Sequence, residues 1–361
     1  MSLAEYGERI RENDRVILYI SFRQIYPLFV TPEKCTKSGQ KVEHVFQTTY
    51  GALRVSDLIG QRFGTKVKLT RGYAYVLHPT PELWSKALPH RTQILYATDI
   101  ATILLQLEIR PGSVVIESGT GSGSLSHSFI RSLWPSGHLH TFDYHESRVK
   151  AAQQEFQEHQ VGPAVSVRHR DVCAEGFDLV DVADAVFLDL PHPWEAVPHA
   201  VQALKPTGGR LCSFSPCMEQ VQKTCQVLRK CGFQEVTTLE CLLREFQVRK
   251  ISMLEFDPTR VSKTEADSSA NTKATTEGTT EVTTEVTTGV KRPLESDSED
   301  LESKPVTTTN GSAKATIPER SFVTGVPLLN MPGHTGYLTF ATWPAQIKLE
   351  DGPFVTDNDA V

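Results

Sequence analysis

Apolar and polar residues follow two different rhythms along this chain of 361 residues. Up to about residue 77, short apolar runs are separated by turn residues, among them Gly51, Gly60, Gly64 and Gly72. Short apolar runs with glycine between them are typical of β-strands joined by turns. The pattern predicts a small β domain over residues 1–77 and a proline-rich bridge over residues 78–90.

From residue 91 the rhythm changes to strands that alternate with amphipathic helices. Residues 92–109 carry apolar side chains at helical spacing, and the pattern stops at Arg110-Pro111-Gly112. Short apolar runs then follow, and most of them lead into an amphipathic segment. This repetition predicts an α/β fold, in which a mostly parallel sheet is covered by helices on both faces.

The carboxyl-terminal part of the chain departs from this alternation. Its three apolar runs, QEVTTLECL, FQVRKISMLEF and GYLTFATW, have no helical segment between them. We assign residues 91–260 to the main domain and residues 321–344 to its final, antiparallel strand. Residues 261–320 between them are rich in Thr and Glu, with a four-residue repeat from Thr275 to Val290. Because such a segment buries little apolar surface, it predicts a disordered insertion, and residues 345–361 predict an acidic flexible tail.

Composition excludes several classes of protein. The chain is 39% hydrophobic and 22% charged, and no apolar run approaches the roughly 20 residues of a membrane helix. The charged first residues do not resemble a signal peptide or a transit peptide. The cysteine count of seven is odd, and no CxxC pair occurs. We therefore expect buried thiols in a reducing intracellular compartment, and neither a membrane protein nor a metal site.

The net charge of −6 is unevenly distributed. Residues 262–320 hold 11 acidic and seven basic side chains, and residues 345–361 hold four acidic and one basic. By contrast, residues 54–91 hold seven basic and two acidic side chains. A local basic surface of this kind can bind phosphates even when the whole protein is acidic. A solvated charged face is the plainer alternative.

The segment with the clearest chemistry lies between a predicted strand and a predicted helix, and reads Glu117-Ser118-Gly119-Thr120-Gly121-Ser122-Gly123-Ser124. Glycines allow close approach of a ligand, and the helix start offers free N–H donors. The dinucleotide fingerprint G-x-G-x-x-G is not met, because Ser124 takes its third place. The spacing acid-x-G-x-G-x-G instead resembles the first motif of class I methyltransferases. That resemblance implies S-adenosylmethionine lined by Glu117, Gly119, Gly121, Ser122, Gly123 and Ser124; a plain strand–helix turn is the alternative.

Acidic residues at the next two strand ends extend the candidate cofactor site. Asp143 ends the second strand, where a carboxylate can accept hydrogen bonds from ribose hydroxyls. Asp171 follows the third strand, with Val172 beside it, and the family resemblance places an adenine contact there. Arg148 lies in the helix after Asp143 and can reach a cofactor. A turn-forming Asp171 and a solvated Arg148 are the alternatives.

A second motif, Asp189-Leu190-Pro191-His192-Pro193-Trp194, follows the strand DAVFLDL. It resembles, with an insertion, the D/N-P-P-aromatic tetrad of enzymes that methylate amines and adenines. In such a segment a carboxylate and neighbouring carbonyls accept hydrogen bonds from an exocyclic amine, and the aromatic ring stacks on a base. Asp189 is therefore the predicted catalytic residue, with Pro191 and Trp194 binding the substrate. N1 of neutral adenine carries a lone pair, so His192 is not needed as a base.

Several longer segments resemble one family more specifically. LHPTPELW from Leu77, PHRTQILYATD from Pro89, ESGTGSGS, DLPHPWEAV, CSFSPCMEQVQ and GHTGYLTFA from Gly333 look like the catalytic subunits of eukaryotic tRNA (adenine-58-N1)-methyltransferases. The resemblance implies methyl transfer to adenine N1 in the tRNA T-loop, with Asp189 on the adenine N6 and the cofactor. It places Leu95 at the cofactor and Gln93 and Tyr96 at the substrate. Gly72 and Tyr73 of the β domain are further candidate substrate contacts.

The same resemblance implies a non-catalytic partner subunit, a heterotetramer and a nuclear location. Two other functions stay open at this point. The Asp-Pro-aromatic segment also occurs in class I methyltransferases that act on exocyclic amines or protein side chains. A catalytically inactive methyltransferase fold that serves as a binding subunit is the second alternative, although the acidic and glycine positions of the motifs are intact.

Overall fold

The computed structural model describes residues 7–22, 24–36, 39–88, 92–254, 319–330 and 333–346. The predicted disordered insertion and acidic tail lie outside these residues, apart from two residues of each. The chain divides into two compact units, one formed by residues 1–243 and 332–361 and the other by residues 244–331.

The amino-terminal part of the first unit is a β domain, in which the described residues form eight short strands. They are β1 (Arg15–Ser21), β2 (Gln24–Phe29), β3 (Glu33–Cys35), β4 (Lys41–Glu43), β5 (Val45–Thr48), β6 (Gly51–Arg54), β7 (Lys66–Leu69) and β8 (Gly72–Leu77). Four of them form an antiparallel sheet in the order β2-β1-β8-β7, and the others pair as β3-β4 and β5-β6.

Strand β1 is covered on both faces, which explains its unbroken apolar run. Val16 and Leu18 are fully buried in the core of the β domain. Ile17, which points to the opposite face, packs in a second cluster with Trp84, Leu88 and Ile94. Because successive side chains of a strand point to opposite faces, an apolar run marks a strand buried on both sides.

The predicted proline-rich bridge contains a helix, α1 (Pro81–Ala87), which the sequence did not predict. Thr80 caps the helix, since its side chain accepts a hydrogen bond from the N–H of Leu83, and Pro81 occupies the first turn. Proline suits that position because its missing N–H would have no partner there. The helix buries Trp84, which is 2% exposed.

The larger part of the first unit is built on a seven-stranded sheet in the order β11-β10-β9-β12-β13-β17-β14. Its strands are β9 (Val114–Ser118), β10 (His138–Asp143), β11 (Val165–His169), β12 (Ala185–Asp189), β13 (Gly209–Ser215), β14 (Gln234–Glu240) and β17 (Tyr337–Trp343). The five strands from β11 to β13 pair in parallel, and β17 runs antiparallel to both β13 and β14. The predicted α/β class with an antiparallel last strand is confirmed.

Helices cover this sheet on both faces. They are α2 (Ala97–Gln106), α3 (Ser124–Leu133), α4 (Glu146–Glu158), α5 (Val172–Glu175), α6 (Pro193–Ala203) and α7 (Met218–Lys230). One buried cluster joins β9 to α2, α3 and α4, and the other joins β12 and β13 to α6 and α7. Within the described ranges, no helix has the length and apolarity needed to cross a membrane.

The chain reverses its direction of travel across the sheet between β9 and β12. The two crossovers after β9 lead towards β11, and the later ones lead from β12 towards β13. Parallel sheets bind ligands in the crevice at the carboxyl ends of the strands beside such a reversal. The ends of β9, β10 and β12 are therefore the place to search for a site.

The first predicted helix of this domain starts later than its apolar pattern suggested. Helical spacing predicted a helix over residues 92–109, but α2 covers only Ala97–Gln106. Residues 92–96 form neither a helix nor a strand. The N–H of Thr92 donates to the Ser122 hydroxyl at 3.0 Å, and Leu95 is buried in the core. These tertiary contacts override the local periodicity, as they often do for weak helix formers.

The described residues of the second unit form a two-stranded hairpin, whose pairing the sequence did not predict. Strand β15 (Phe246–Leu254) pairs antiparallel with β16 (Glu319–Pro327), so that Leu254 lies opposite Glu319. The prediction of a single final strand over residues 321–344 is wrong, because parts of two strands lie there. Strand β16 belongs to the hairpin, and β17 alone completes the main sheet.

Candidate active site

The loop between β9 and α3 has a backbone that requires glycine. Gly119 has a φ of +100°, and a Cβ on it would lie 2.4 Å from the carbonyl oxygen of Asp189. Gly121 has a φ of +53°, and a Cβ there would lie 2.8 Å from Oγ1 of Thr92. Other residues rarely adopt these angles, and neither position has space for a side chain. The glycine loop is thus wedged between the end of β12 and residues 92–95.

The carboxylate of Asp143, at the end of β10, holds this loop in place. Its two oxygens accept hydrogen bonds from the N–H of Gly121 at 3.0 Å and of His145 at 2.8 Å. Arg148 approaches the same carboxylate at 3.8 Å, and Asp143 is 4% exposed. Because each carboxylate oxygen has two lone pairs, one on each oxygen is left for a ligand hydroxyl.

Glu117 is buried below the loop, and its carboxyl is held by hydroxyls. Ser126 and Thr141 donate to Oε2 at 2.6 Å and 2.7 Å, and the residue is 1% exposed. Burial raises the pKa of Glu117 to about 7, partly offset by the two hydroxyl hydrogen bonds. The negative charges of Asp189 and Asp143 raise it further.

Asp189 ends β12 beside the loop. Burial raises its pKa to about 6, and the charge of Asp143 adds to the rise. The segment that follows is held from the other side of the site, since the Gln220 amide donates to the carbonyl of Pro191 at 2.9 Å. The sequence had predicted outward carbonyls here that accept from a ligand amine. The Pro191 carbonyl already accepts a hydrogen bond within the protein, which leaves the Asp189 side chain as the stronger candidate.

Two adjoining cavities meet at Gly119 and Asp189. The first, which we call the loop cavity, is lined by Glu117, Phe187, Asp189, residues 92–95 and residues 119–125. The second, the strand-end cavity, encloses about 450 Å³ and is lined by Asp143, Tyr144, His145, Arg148, Arg170, Asp171, Val172, Glu195 and neighbouring residues. Its volume lies in the range of small-molecule sites.

All of the predicted cofactor residues line one of these cavities. The loop cavity contains Leu95, Glu117, Gly119, Gly121, Ser122, Gly123, Ser124 and Asp189, together with the predicted substrate residue Gln93. The strand-end cavity contains Asp143, Arg148, Asp171 and Val172, and also Pro191. The structure therefore brings together residues from five different segments of the chain.

Three of these polar side chains also have clear structural partners. Asp171 caps α5 by accepting from the N–H groups of Cys173 and Ala174. The Ser122 hydroxyl binds Thr92, and the Ser124 hydroxyl lies 2.7 Å from that of Ser85. The two serines thus fasten residues 92–95 and α1 to the glycine loop.

Four predicted substrate residues lie outside both cavities. Tyr96 is 47% exposed at the start of α2. Trp194 lies in α6, where its ring stacks under the Lys223 ammonium at 4.7 Å. Gly72 and Tyr73 lie on β8 of the β domain, where Tyr73 is 49% exposed. These four positions could contact a large substrate but not a small ligand held in the cavities.

Sequence reasoning missed several lining residues. Tyr144 and His145 directly follow Asp143 at the end of β10, and Tyr144 is 65% exposed beside the strand-end cavity. Their position after the strand-end acid was a usable signal. Thr92 and Phe187 line the loop cavity, but nothing in their local sequence marks them.

Comparison with known proteins gives a family for this arrangement. A family model described as tRNA methyltransferase complex GCD14 subunit matches residues 72–343. A tRNA (adenine(58)-N(1))-methyltransferase catalytic subunit of Schizosaccharomyces pombe is 41% identical over 265 residues, covering 71% of this chain and 70% of the relative. The corresponding subunit of Dictyostelium discoideum is 39% identical and covers 92% of this chain and 96% of the relative.

Solved structures support the fold. A SAM-dependent O-methyltransferase from Thermotoga maritima aligns with a TM-score of 0.65 and 22% identity, covering 95% of this chain and 97% of that protein. The tRNA (m1A58) methyltransferase TrmI from Aquifex aeolicus aligns with a TM-score of 0.59 and 18% identity, covering 93% of this chain and 98% of that protein. At these identities the likeness shows a shared class I methyltransferase fold.

The buried Glu117 makes stability depend on pH. Its pKa rises from 4.5 to about 7 on folding, so the folded protein holds this proton more tightly than the unfolded chain. The resulting stabilisation is complete below pH 4.5 and is lost as the pH rises through about 7. Between those limits the free energy of unfolding of the wild type should fall by an amount on the order of 3 kcal/mol. We expect this fall to be absent in Glu117→Gln, which has no carboxyl to ionise.

The measurement is the free energy of unfolding by urea, from pH 4.5 to pH 8, for the wild type, for Glu117→Gln and for a control variant. The matched control is Glu219→Gln, which changes an exposed carboxylate and should leave the pH slope unaltered. An identical slope for the wild type and Glu117→Gln would show that folding does not raise the pKa of Glu117.

Proposed function

The chain belongs to the family of tRNA methyltransferase complex GCD14 subunits, and on that premise we propose that it transfers a methyl group from S-adenosylmethionine to N1 of adenine 58 in the T-loop of tRNA. The observation that carries the proposal is the position of Asp189 at the edge shared by both cavities, against Gly119. A base placed beside this carboxylate would lie next to the glycine loop.

The residues present fit S-adenosylmethionine. Gly119, Gly121 and Gly123 line the loop cavity and carry no side chains, so a ligand in that cavity can approach the backbone of the loop closely. Asp143 keeps acceptor capacity for the ribose hydroxyls, and Asp171 and Val172 line the strand-end cavity where an adenine would lie. The negative charges of Glu117, Asp143 and Asp189 favour a cation, and the sulfonium of this cofactor is one. When bound, it supplies an electrophilic methyl group.

Asp189 is proposed to orient the acceptor base. Its carboxylate accepts a hydrogen bond from the N6 amine, which directs the neighbouring N1 lone pair towards the methyl group. As N1 gains the methyl, the adenine becomes positively charged and part of that charge spreads to N6. A carboxylate at N6 stabilises the growing charge, which is the electrostatic stabilisation that many enzymes use. No base is needed, because N1 has no proton to lose.

The substrate surface is proposed to extend onto the β domain. The exposed face of β7 and β8 carries Lys66 and Lys68 opposite Tyr75 and Tyr73. The Lys66 ammonium lies 4.2 Å from the Tyr73 ring centre and 5.6 Å from that of Tyr75. Lysines with exposed aromatic rings suit RNA, since they neutralise phosphates and stack on unpaired bases.

A non-catalytic partner subunit is proposed to complete the RNA surface, within a heterotetramer. The family description itself refers to a complex. Binding of a folded tRNA needs many phosphate contacts, and unstacking an adenine costs roughly a few kcal/mol. The β7–β8 face is a small basic surface on an acidic chain, with a net charge of −6. A nuclear location is proposed on the family resemblance alone.

The first prediction concerns the product and the partner. The chain with its partner subunit should form 1-methyladenosine at position 58, whereas the chain alone should bind tRNA weakly and methylate little. Mass mapping of tRNA fragments at near-physiological salt measures both. Methylation of an exocyclic amine or of protein would favour the other class I activities, and no binding of S-adenosylmethionine by the complex would favour an inactive fold. Full activity of the chain alone would refute the need for a partner.

The second prediction concerns Asp189. Replacing it by Asn keeps the shape but removes the charge, and we expect kcat to fall about 100-fold, because the base loses its alignment and charge stabilisation. The Kd for S-adenosylmethionine should change by no more than a few-fold. Since the pKa of Asp189 is about 6 in the protein without ligand, wild-type kcat/KM should fall as the pH drops through 6. An unchanged kcat in Asp189→Asn would remove Asp189 from the reaction.

The third prediction tests the β7–β8 face. The double variant Lys66→Ala/Lys68→Ala should weaken tRNA binding by the complex and lower the slope of log Kd against log salt by about two. Kd for S-adenosylmethionine should not change. The matched control is Lys150→Ala, which removes an exposed lysine of α4 that pairs with Glu146 at 2.8 Å. Equal salt slopes for the double variant and the wild type would exclude phosphate contacts at this face.

A further inference from the structure

A buried group of polar side chains lies behind the glycine loop, on the far side from its ligand-lining face. His127 of α3 and His159 at the end of α4 are 2% and 1% exposed. Trp84 of α1 is 2% exposed, and Glu155 of α4 lies beside them. The proposed chemistry uses none of these residues, and the family segments quoted above contain only Trp84 among them. Buried polar groups of this kind are costly unless they are hydrogen-bonded, so their arrangement requires an explanation.

The hydrogen bonds define where the protons lie. Nδ1 of His127 is 2.6 Å from the carbonyl oxygen of Gly123, which can only accept, so Nδ1 carries a proton. Nε2 of His127 is 2.8 Å from Nδ1 of His159. Burial and the neighbouring His127 lower the pKa of His159 to about 2, so His159 is neutral. One hydrogen bond joins Nδ1 of His159 to Nε2 of His127, and the buried Nε2 of His159 has no hydrogen-bond partner.

The amino-terminal part of the chain closes this group. The indole N–H of Trp84 donates to Glu155 at 3.2 Å, and its ring meets that of His159 edge to face, with centroids 4.6 Å apart. The Arg15 guanidinium lies 5.8 Å from the Trp84 ring centre. Helix α1 and strand β1 thus pack against the side of the histidine pair that is remote from Gly123.

A metal ion is the competing explanation. The ligand atoms of His127, Glu155 and His159 lie within 4.8 Å of one another. Two nitrogens on one tetrahedral zinc are about 3.3 Å apart, given Zn–N bonds of about 2.0–2.1 Å. The observed 2.8 Å between the two histidines is a hydrogen-bond length. The geometry favours a direct hydrogen bond, and metal binding becomes an outcome of the test.

We propose that His127, oriented by His159, is a positioning residue that sets the Gly123–Ser124 peptide for cofactor binding. Gly123 has a φ of +75° and is the residue before α3. Its carbonyl oxygen accepts hydrogen bonds from both Nδ1 and the backbone N–H of His127. In a trans peptide the N–H points opposite to the carbonyl. Fixing the Gly123 carbonyl therefore aims the Ser124 N–H out of the amino end of α3, where both residues line the loop cavity.

The inference rests on the proposed binding of S-adenosylmethionine, and two variants of one residue test it. The amide nitrogen of Asn takes the place of histidine Nδ1, whereas that of Gln reaches the place of Nε2. His127→Gln should raise the Kd for S-adenosylmethionine at least tenfold, because the Gly123 carbonyl loses its side-chain donor. His127→Asn should keep Kd within threefold of the wild type. Both variants should lower Tm to a similar extent, since both lose packing.

Calorimetry on the full chain with its partner subunit measures Kd, and steady-state kinetics should place the effect of His127→Gln on KM for the cofactor more than on kcat. Equal weakening by Asn and Gln would show a packing role and overturn the proposal. So would a tenfold loss of affinity after dialysis against a chelator that zinc restores, because the histidines would then bind a metal.

Two-bond proton–nitrogen spectra of histidine-labelled protein separate failure of the inference from failure of the proposed function. The signal that disappears in His127→Asn belongs to His127, and it should report the proton on Nδ1. A proton on Nε2 alone would overturn the inference whatever the affinity for the cofactor. No binding of S-adenosylmethionine by the wild type would overturn the proposed function and, with it, the positioning role.

Discussion

The close approach of Gly119 to the backbone of Asp189 is the constraint on which the site depends. Strands β9 and β12 pair in parallel, with Ser118 opposite Leu188, so the next residue of each chain must pass at the edge of the sheet. Only a residue without Cβ, at a φ of +100°, leaves room for the Asp189 carbonyl. Gly119 and Asp189 line both cavities, so the carboxylate proposed to orient a base lies directly beside the cofactor loop.

Charge is the second organising feature, because three carboxyl groups converge on this edge. Asp143 is stabilised by two backbone N–H groups and by Arg148. Glu117 and Asp189 have less compensation, and burial raises their pKa values to about 7 and about 6. A positive ligand between them would stabilise their ionised forms and so lower both pKa values. The site is therefore electrostatically suited to a cation, while an anionic ligand would meet the repulsion that already raises these pKa values.

Local sequence predicted the parts of this structure that depend on local chemistry. The glycine loop, the strand-end acid Asp143 and the alternation of strands and helices are readable because backbone angles and periodicity act over a few residues. Residues 92–96 are not helical as their periodicity predicts, because the N–H of Thr92 is bonded to Ser122, some 30 residues away. Strand β16 was missed because its partner β15 lies across the insertion, and helix α1 because its prolines suggested an irregular bridge. Thr92 and Phe187 reach the loop cavity only through tertiary packing.

The β domain is joined to the glycine loop by buried contacts, and this has a consequence for a large substrate. Ile17 of β1 packs on Trp84 of α1, and Ser85 of the same helix bonds to Ser124 of the loop at 2.7 Å. Arg131 of α3 reaches back to Glu82. Burial of a side chain as large as Trp84 contributes at least about 2 kcal/mol, more than exposed ion pairs of this kind give. Since β1 and the lysine-bearing β7 are both hydrogen-bonded to β8, the proposed RNA surface and the loop belong to one packed unit, and a base extracted from RNA held on one has a fixed distance to the other.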